Sequence, residues 1–220
     1  LKSDEFIREV DEELQREKLA ELAKRYGWIA VTAAVGLVLA TAAWVGWQRW
    51  DEHRRNAEAE RFASVEGLVA PAGPESVSAL LDFAREASPG FAALARLRAA
   101  GRAEDERAAL EALDAVAADP KADPLLKDAA RLMAAARRLD RDDPATVARS
   151  LEPLAGDGGP WRHVARQLLA AAQLKAGARE DAIASLRRIV EDAEAPATLR
   201  NRAAELLDAL GAPLPARSTS

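Results

Sequence analysis

The chain offers few side chains of the kind that do covalent or acid–base chemistry. It has two histidines and no cysteine. That removes thiolate nucleophiles, disulfides, cysteine zinc sites and a lipid anchor on cysteine. His53 lies in a charged stretch and is expected to be solvated. His163 stands early in a helix between Arg162 and Arg166 and is expected at the surface. Neither has a second ligand nearby in sequence. There is no His-Glu-x-x-His pair and no glycine-rich phosphate loop. The carboxylates recur at helical spacing beside arginines, as in Glu180, Asp181, Arg187 and Arg188. That pattern describes a solvated, salt-bridged face. The expectation is therefore no catalytic residue, no metal site, no cofactor and no small-molecule substrate. A membrane-tethered enzyme using the acidic helix faces is the competing reading from the catalytic class.

The residues whose types and spacing do carry a message are apolar, aromatic and small. Residues 28–47 contain no ionisable side chain. At about 1.5 Å per helical residue such a run spans about 30 Å, the hydrocarbon thickness of a bilayer. Trp28 marks one end, and Trp44, Trp47 and Trp50 step by three at the other. Four of the five tryptophans lie here, with Lys24 and Arg25 before the run and Arg49 after it. Rings and cations at both rims are what a headgroup layer selects. Thr32, Gly36 and Ala40 repeat at four, and Ala42 and Gly46 form a second small pair. Small residues let another helix approach, so these five mark a possible docking face within the span. Ala40-Thr41-Ala42 fits a signal-peptide cleavage site, but the preceding segment is long and net acidic where a signal peptide is short and basic. An uncleaved single span is expected.

A charged helix is expected over residues 3–25, with Ser3 as its cap and Gly27 at its end. Phe6, Val10, Leu14 and Leu22 form a stripe too short for a core of its own. It leads into the membrane as a solvated helix or docks on a partner. The first residue is Leu, which leads us to expect an earlier natural start. Lys and Arg are equal in number within fifteen residues of either end of the run, so flanking charge does not orient it. A short tail before a large domain suits a signal-anchor that places the C-terminal domain outside the cytoplasm. The formal net charge is −5 and no region is strongly basic, which argues against nucleic acid.

Past the run, nothing stops a helical stalk before Pro71-Ala-Gly73-Pro74, and a helix is expected through Trp50 to about Leu68. From Pro74 the pattern is one of helices with one-sided apolar stripes and short breaks. They are expected at 75–87, from Pro89 to Gly101, at 104–118, from Pro124, from Pro144, and at 160–176, 179–193 and 196–210. Ser88, Asp123 and Asp143 each place an oxygen-bearing cap before a proline at the first helical position. No segment alternates with period two, so the fold class is all-α. The organisation is a charged tail at 1–27, a transmembrane helix at 28–47, a stalk and linker at 48–73, an α-hairpin repeat domain at 74–211 and a flexible tail at 212–220.

Gly101 and Gly177 are expected to close two similar stretches, with another turn near Asp140 between them. The spacing is that of a helical-hairpin repeat. The best unit is Trp161 to Pro196. There Ala170 and Ala182 mark a close helix crossing, Gly177 the turn, and Leu186 and Ile189 the groove filling. These resemble a degenerate tetratricopeptide (TPR) pattern, with Gln173 where a large aromatic is usual.

The order of parts resembles the ancillary TPR-like subunits of the bacterial Sec translocon. The resemblance is carried by Asp4-Glu-Phe-Ile-Arg-Glu-Val10, Tyr26-Gly-Trp28, Trp44-Val-Gly-Trp47-Gln-Arg-Trp50 and Phe91-Ala-Ala-Leu-Ala-Arg-Leu97. It implies a single-pass protein of the bacterial inner membrane with a cytoplasmic tail and a periplasmic domain. It also implies a scaffold whose protein partners are the Sec translocon and a membrane-anchored periplasmic chaperone. An accessory or assembly subunit of another inner-membrane complex, such as a respiratory one, is the alternative.

Overall fold

The computed structural model describes residues 2–68 and 74–213, and the side chains of the first helix from Trp28 onward apart from residues 29–31, 34 and 68. The apolar stripe expected on the tail helix, the breaker at 71–73 and most of the expected C-terminal tail lie outside the described residues. Among the described residues there are nine α-helices and no strand, so the fold is all-α. They are α1 (Lys2–Leu68), α2 (Pro74–Glu86), α3 (Pro89–Arg102), α4 (Glu106–Ala118), α5 (Pro124–Arg138), α6 (Pro144–Leu151), α7 (Arg162–Lys175), α8 (Arg179–Glu191) and α9 (Ala197–Ala209), with a 3-10 turn at Glu152–Leu154. The chain divides into two compact units, Leu1–Ala57 and Glu58–Ser220.

In the first unit the backbone is helical throughout its described length. The expected stop at Gly27 is not there. One glycine inside a helix costs about 1 kcal/mol relative to alanine, and no proline supports the break. Propagation from alanine- and leucine-rich neighbours on both sides overrides it. The expected continuation of the helix past Trp50 to Leu68 is found.

In the second unit the helices pack in sequence order as antiparallel hairpins. Each meets the next, and α3 with α5 and α5 with α7 also touch. The odd-numbered helices α3, α5 and α7 thus lie beside one another in one layer. The apolar core is a chain of local clusters. Phe62 and Val65 of α1 pack with Phe83, Ala84, Ala92 and Ala95. Ala93, Ala100, Ala109, Leu113, Val116, Ala130 and Ala134 bind α3, α4 and α5. Leu132, Val147, Leu151, Ala165 and Leu169 bind α5, α6 and α7. Ala170, Ala182, Ile183, Leu186, Ile189, Ala203 and Leu207 bind α7, α8 and α9. Alanine at so many buried positions lets helix axes approach closely.

The starts follow local chemistry. Asp123 accepts from the Leu125 amide at 2.7 Å and Asp143 from the Thr146 amide at 3.0 Å, each before a proline. Ser88 occupies the cap position of α3, but its side chain makes no capping hydrogen bond. Its amide donates to Glu58 instead. Asp105 caps α4 through the Arg107 amide at 3.1 Å.

Gly177 makes the α7–α8 turn at φ +79°, as its spacing predicts. Gly101 makes no turn. It lies inside the last turn of α3, which Ala103 ends in extended backbone.

Two cations repeat one device in the odd layer. Arg137, near the end of α5, donates from Nη2 to the Ala100 carbonyl near the end of α3 at 2.6 Å. Lys175, at the end of α7, donates from Nζ to the Leu139 carbonyl that closes α5 at 3.3 Å. Each cation satisfies a carbonyl left open at a helix C-terminus and meets the negative end of that helix dipole.

Candidate functional site

The predicted anchors Trp28, Trp44, Trp47 and Trp50 are all exposed, from 58% for Trp50 to 72% for Trp47. Val35, Leu37, Val38, Leu39 and Val45 between them are exposed as well. In water such a surface is unfavourable by about 25 cal/mol for each Å² of apolar area. The predicted docking residues Thr32, Gly36, Ala40, Ala42 and Gly46 lie on the same helix and are exposed. A Cβ added at Gly36 or Gly46 would meet no heavy atom within 4 Å.

Hydroxyls in this run turn inward. Thr32 Oγ1 donates to the Trp28 carbonyl at 2.9 Å, and Thr41 Oγ1 donates to the Leu37 carbonyl. This back-bonding leaves the helix without an unsatisfied hydroxyl donor at either position, as an apolar surrounding requires. Charge returns just beyond the run. The Arg54 guanidinium lies over the Trp50 ring, 5.1 Å from its centroid, and Asp51 pairs with Arg55. Among the described residues no helix is long and apolar enough to cross a membrane. Ile29, Ala30, Val31 and Ala34, which belong to the expected span, lie outside the described side chains.

A second cluster sits where α7 meets the end of α8. Arg166 has a side chain only 3% exposed. It donates to the Ala155 carbonyl at 3.0 Å, to Asp157 at 2.6 Å, to Asp192 at 3.2 Å and to the Arg188 carbonyl at 3.4 Å. Arg162 donates to Asp192 at 3.0 Å and also to Glu194. His163 was expected at the surface and is instead buried, with Nδ1 3.6 Å from Asp192 Oδ2. That nitrogen makes no hydrogen bond.

The charges of this cluster shape one another. The hydrogen bond from Arg162 is the main reason that the Asp192 carboxyl is lowered to about 2. Burial, and then the charge of Arg162, push the His163 imidazole below its ordinary value, with Asp192 opposing them. The polar atoms of Arg162, Arg166 and Asp192 are committed to tying the loop at 155–157 and the end of α8 to α7. That is a structural clamp.

The expected ion pairing of Glu180 and Asp181 with Arg187 and Arg188 is not the arrangement found. Arg188 reaches across to Asp157 at 2.7 Å, and Glu180 lies 4.0 Å from Arg179. Hairpin packing brings the 157 loop within reach of α8, which sequence spacing on one helix does not reveal. Arg166 was not singled out from sequence. The available signal was its place on the same stripe as His163 and Ala170, where a buried guanidinium demands several acceptors.

Trp161 Nε1 donates to the Leu125 carbonyl at 3.1 Å and joins the starts of α7 and α5. Its ring is a packing element of the second unit. His53 is exposed, as expected. Among the described residues no group of His, Cys, Asp and Glu is placed to hold a metal.

A concavity lies between α2 and the start of α4. Val77, Ser78 and Leu81 of α2 face Ala103, Glu104, Asp105 and Ala108 around a groove of about 390 Å³.

Comparison with known protein families, with curated proteins and with solved structures finds no match.

Proposed function

We propose that this chain is a single-pass, membrane-anchored scaffold with a TPR-like hairpin domain, acting in protein–protein contacts at the Sec translocon and with a membrane-anchored periplasmic chaperone. The observation that carries the reading is the surface of α1 from Trp28 to Trp47, exposed at each described side chain and free of charge. An apolar surface of this extent calls for a nonaqueous neighbour. The inward hydroxyl bonds of Thr32 and Thr41 and the tryptophans at both rims suit lipid.

In the second unit the in-order hairpins and the repeated cation-to-carbonyl contacts support a TPR-like array. The charged cluster of Arg162, Arg166 and Asp192 is engaged in clamping loops to helices. The function is then one of position: the span confines the hairpin domain beside a membrane complex and raises its effective concentration there. The tail lies in the cytoplasm and the hairpin domain in the periplasm, supported by the size of that domain and by the sequence resemblance to translocon subunits.

Mild-detergent co-purification after in vivo crosslinking from positions in the span and along the hairpins tests the reading. Capture of translocon or chaperone components supports it. Stoichiometric recovery of a different inner-membrane complex, without either of these, overturns the partner assignment in favour of an accessory or assembly subunit.

A further inference from the structure

We infer that the groove between α2 and the start of α4 is a docking site for a polypeptide segment that presents an aliphatic side chain next to a lysine or arginine. This rests on the reading of the hairpin domain as a protein-binding platform and names the chemistry of one partner segment.

The floor is apolar. Val77 and Leu81 stand one turn apart on α2, and Ala103 and Ala108 close the other side. Alanine at those two places is what leaves the space open. A volume of about 390 Å³ suits one or two aliphatic side chains rather than a large cofactor. Hydrophobic contact of that size gives affinity but little selectivity among apolar segments.

The rim supplies the selectivity. Glu104 is exposed, and among the described residues no cation pairs with it. Asp105 directs one oxygen to the Arg107 amide as the cap of α4 and remains a charged, exposed carboxylate. Glu75, in the first turn of α2, is also exposed. The nearby Arg107 side chain is engaged by Glu111 at 2.9 Å. Arg107 is shared between Glu111 and the charge of Asp105, so three carboxylates face one cation and the mouth of the groove is net negative. An acidic segment would be repelled, and a purely aliphatic one would leave the carboxylates unmatched. A basic residue beside the buried aliphatic side chain meets both demands.

Elsewhere in the domain Glu66 holds Arg98 and Glu106 holds Arg137.

The chain has no cysteine, so Ser78→Cys in the full-length protein gives a single site for an environment-sensitive dye at the edge of the groove. The probes are three helical peptides of one design, with leucine and lysine, leucine and glutamate, or alanine and lysine at the contact positions. The leucine–lysine peptide is expected to bind saturably and shift the dye emission, and the other two about tenfold more weakly or not at all. Glu104→Lys is expected to reverse the preference toward the leucine–glutamate peptide. Ala108→Met, which fills the groove, is expected to abolish binding with helix content unchanged.

Equal binding of the lysine and glutamate peptides overturns the inference, as does no binding by any peptide. Binding that survives Ala108→Met overturns it too. Crosslinked recovery of partners from other faces of the domain, together with an empty groove, leaves the scaffold reading standing and removes only this site.

Discussion

Arg166 Nη1 donates to Asp192 Oδ2 at 3.2 Å, and the same oxygen accepts from Arg162 at 3.0 Å. One carboxylate thus gathers two guanidiniums from one face of α7 and holds them against the end of α8. Because the Arg166 side chain is almost wholly buried, its hydrogen bonds cannot be replaced by water. Arg166→Met is expected to destabilise the protein by about 1–3 kcal/mol, since it leaves the Ala155 carbonyl without its donor and takes one of the donors from each of Asp157 and Asp192. Urea unfolding followed by circular dichroism measures this. A loss below about 0.5 kcal/mol would show that the clamp is incidental.

The same cluster makes stability depend on pH. The His163 imidazole is pushed below its ordinary value of 6.5, chiefly by burial and then by Arg162. The folded state therefore binds this proton less readily than the unfolded state, and stability falls as pH drops below about 6.5. Asp192, lowered from 3.8 to about 2 by its hydrogen bond from Arg162, contributes stability that is complete above 3.8 and is lost as pH falls toward 2. The urea midpoint followed from pH 8 to pH 2 is expected to decline through both windows. His163→Gln should flatten the upper one and Asp192→Asn the lower. A midpoint that rises on acidification would contradict both assignments.

Two glycines are expected to respond to alanine with opposite signs. Gly177 holds φ +79°, where an L side chain costs about 1 kcal/mol. Gly101 sits in helical backbone with open space around its Cβ position, so alanine there is expected to gain about 0.5 kcal/mol. Thermal melts of the two variants read the difference directly.

The paired cations of the odd layer differ in depth. The Arg137 side chain is 25% exposed and also pairs with Glu106 at 2.9 Å, while Lys175 is 45% exposed. Arg137→Met is expected to cost about 1–2 kcal/mol and Lys175→Met less than about 1 kcal/mol. Denaturant curves of the two variants, compared at low and high salt, test the order.

Much of the second unit was legible in local chemistry. Aspartate followed by proline marked the starts of α5 and α6, and Gly177 marked a turn, because both signals act within a few residues of backbone. Gly27 and Gly101 misled for the same reason. A glycine ends a helix only where the following backbone must turn, and at neither position does it. The buried clamp was hidden because its partners lie far apart in sequence. His163 reads as a surface residue beside two arginines until the end of α8 brings Asp192 against it. Arg188 likewise finds its carboxylate on a neighbouring loop and not one turn away. The groove could not be foreseen, since it depends on how α2 sits against the start of α4.

Behaviour of the intact chain at a membrane bears most directly on the scaffold reading. In bacterial membranes treated with alkaline carbonate, the full-length protein is expected to remain in the pellet, and replacement of Leu37 and Leu39 by arginine is expected to release it, at about 2.5–3.5 kcal/mol for each charge near the span centre. Recovery of the unaltered chain in the soluble fraction would contradict the anchored reading.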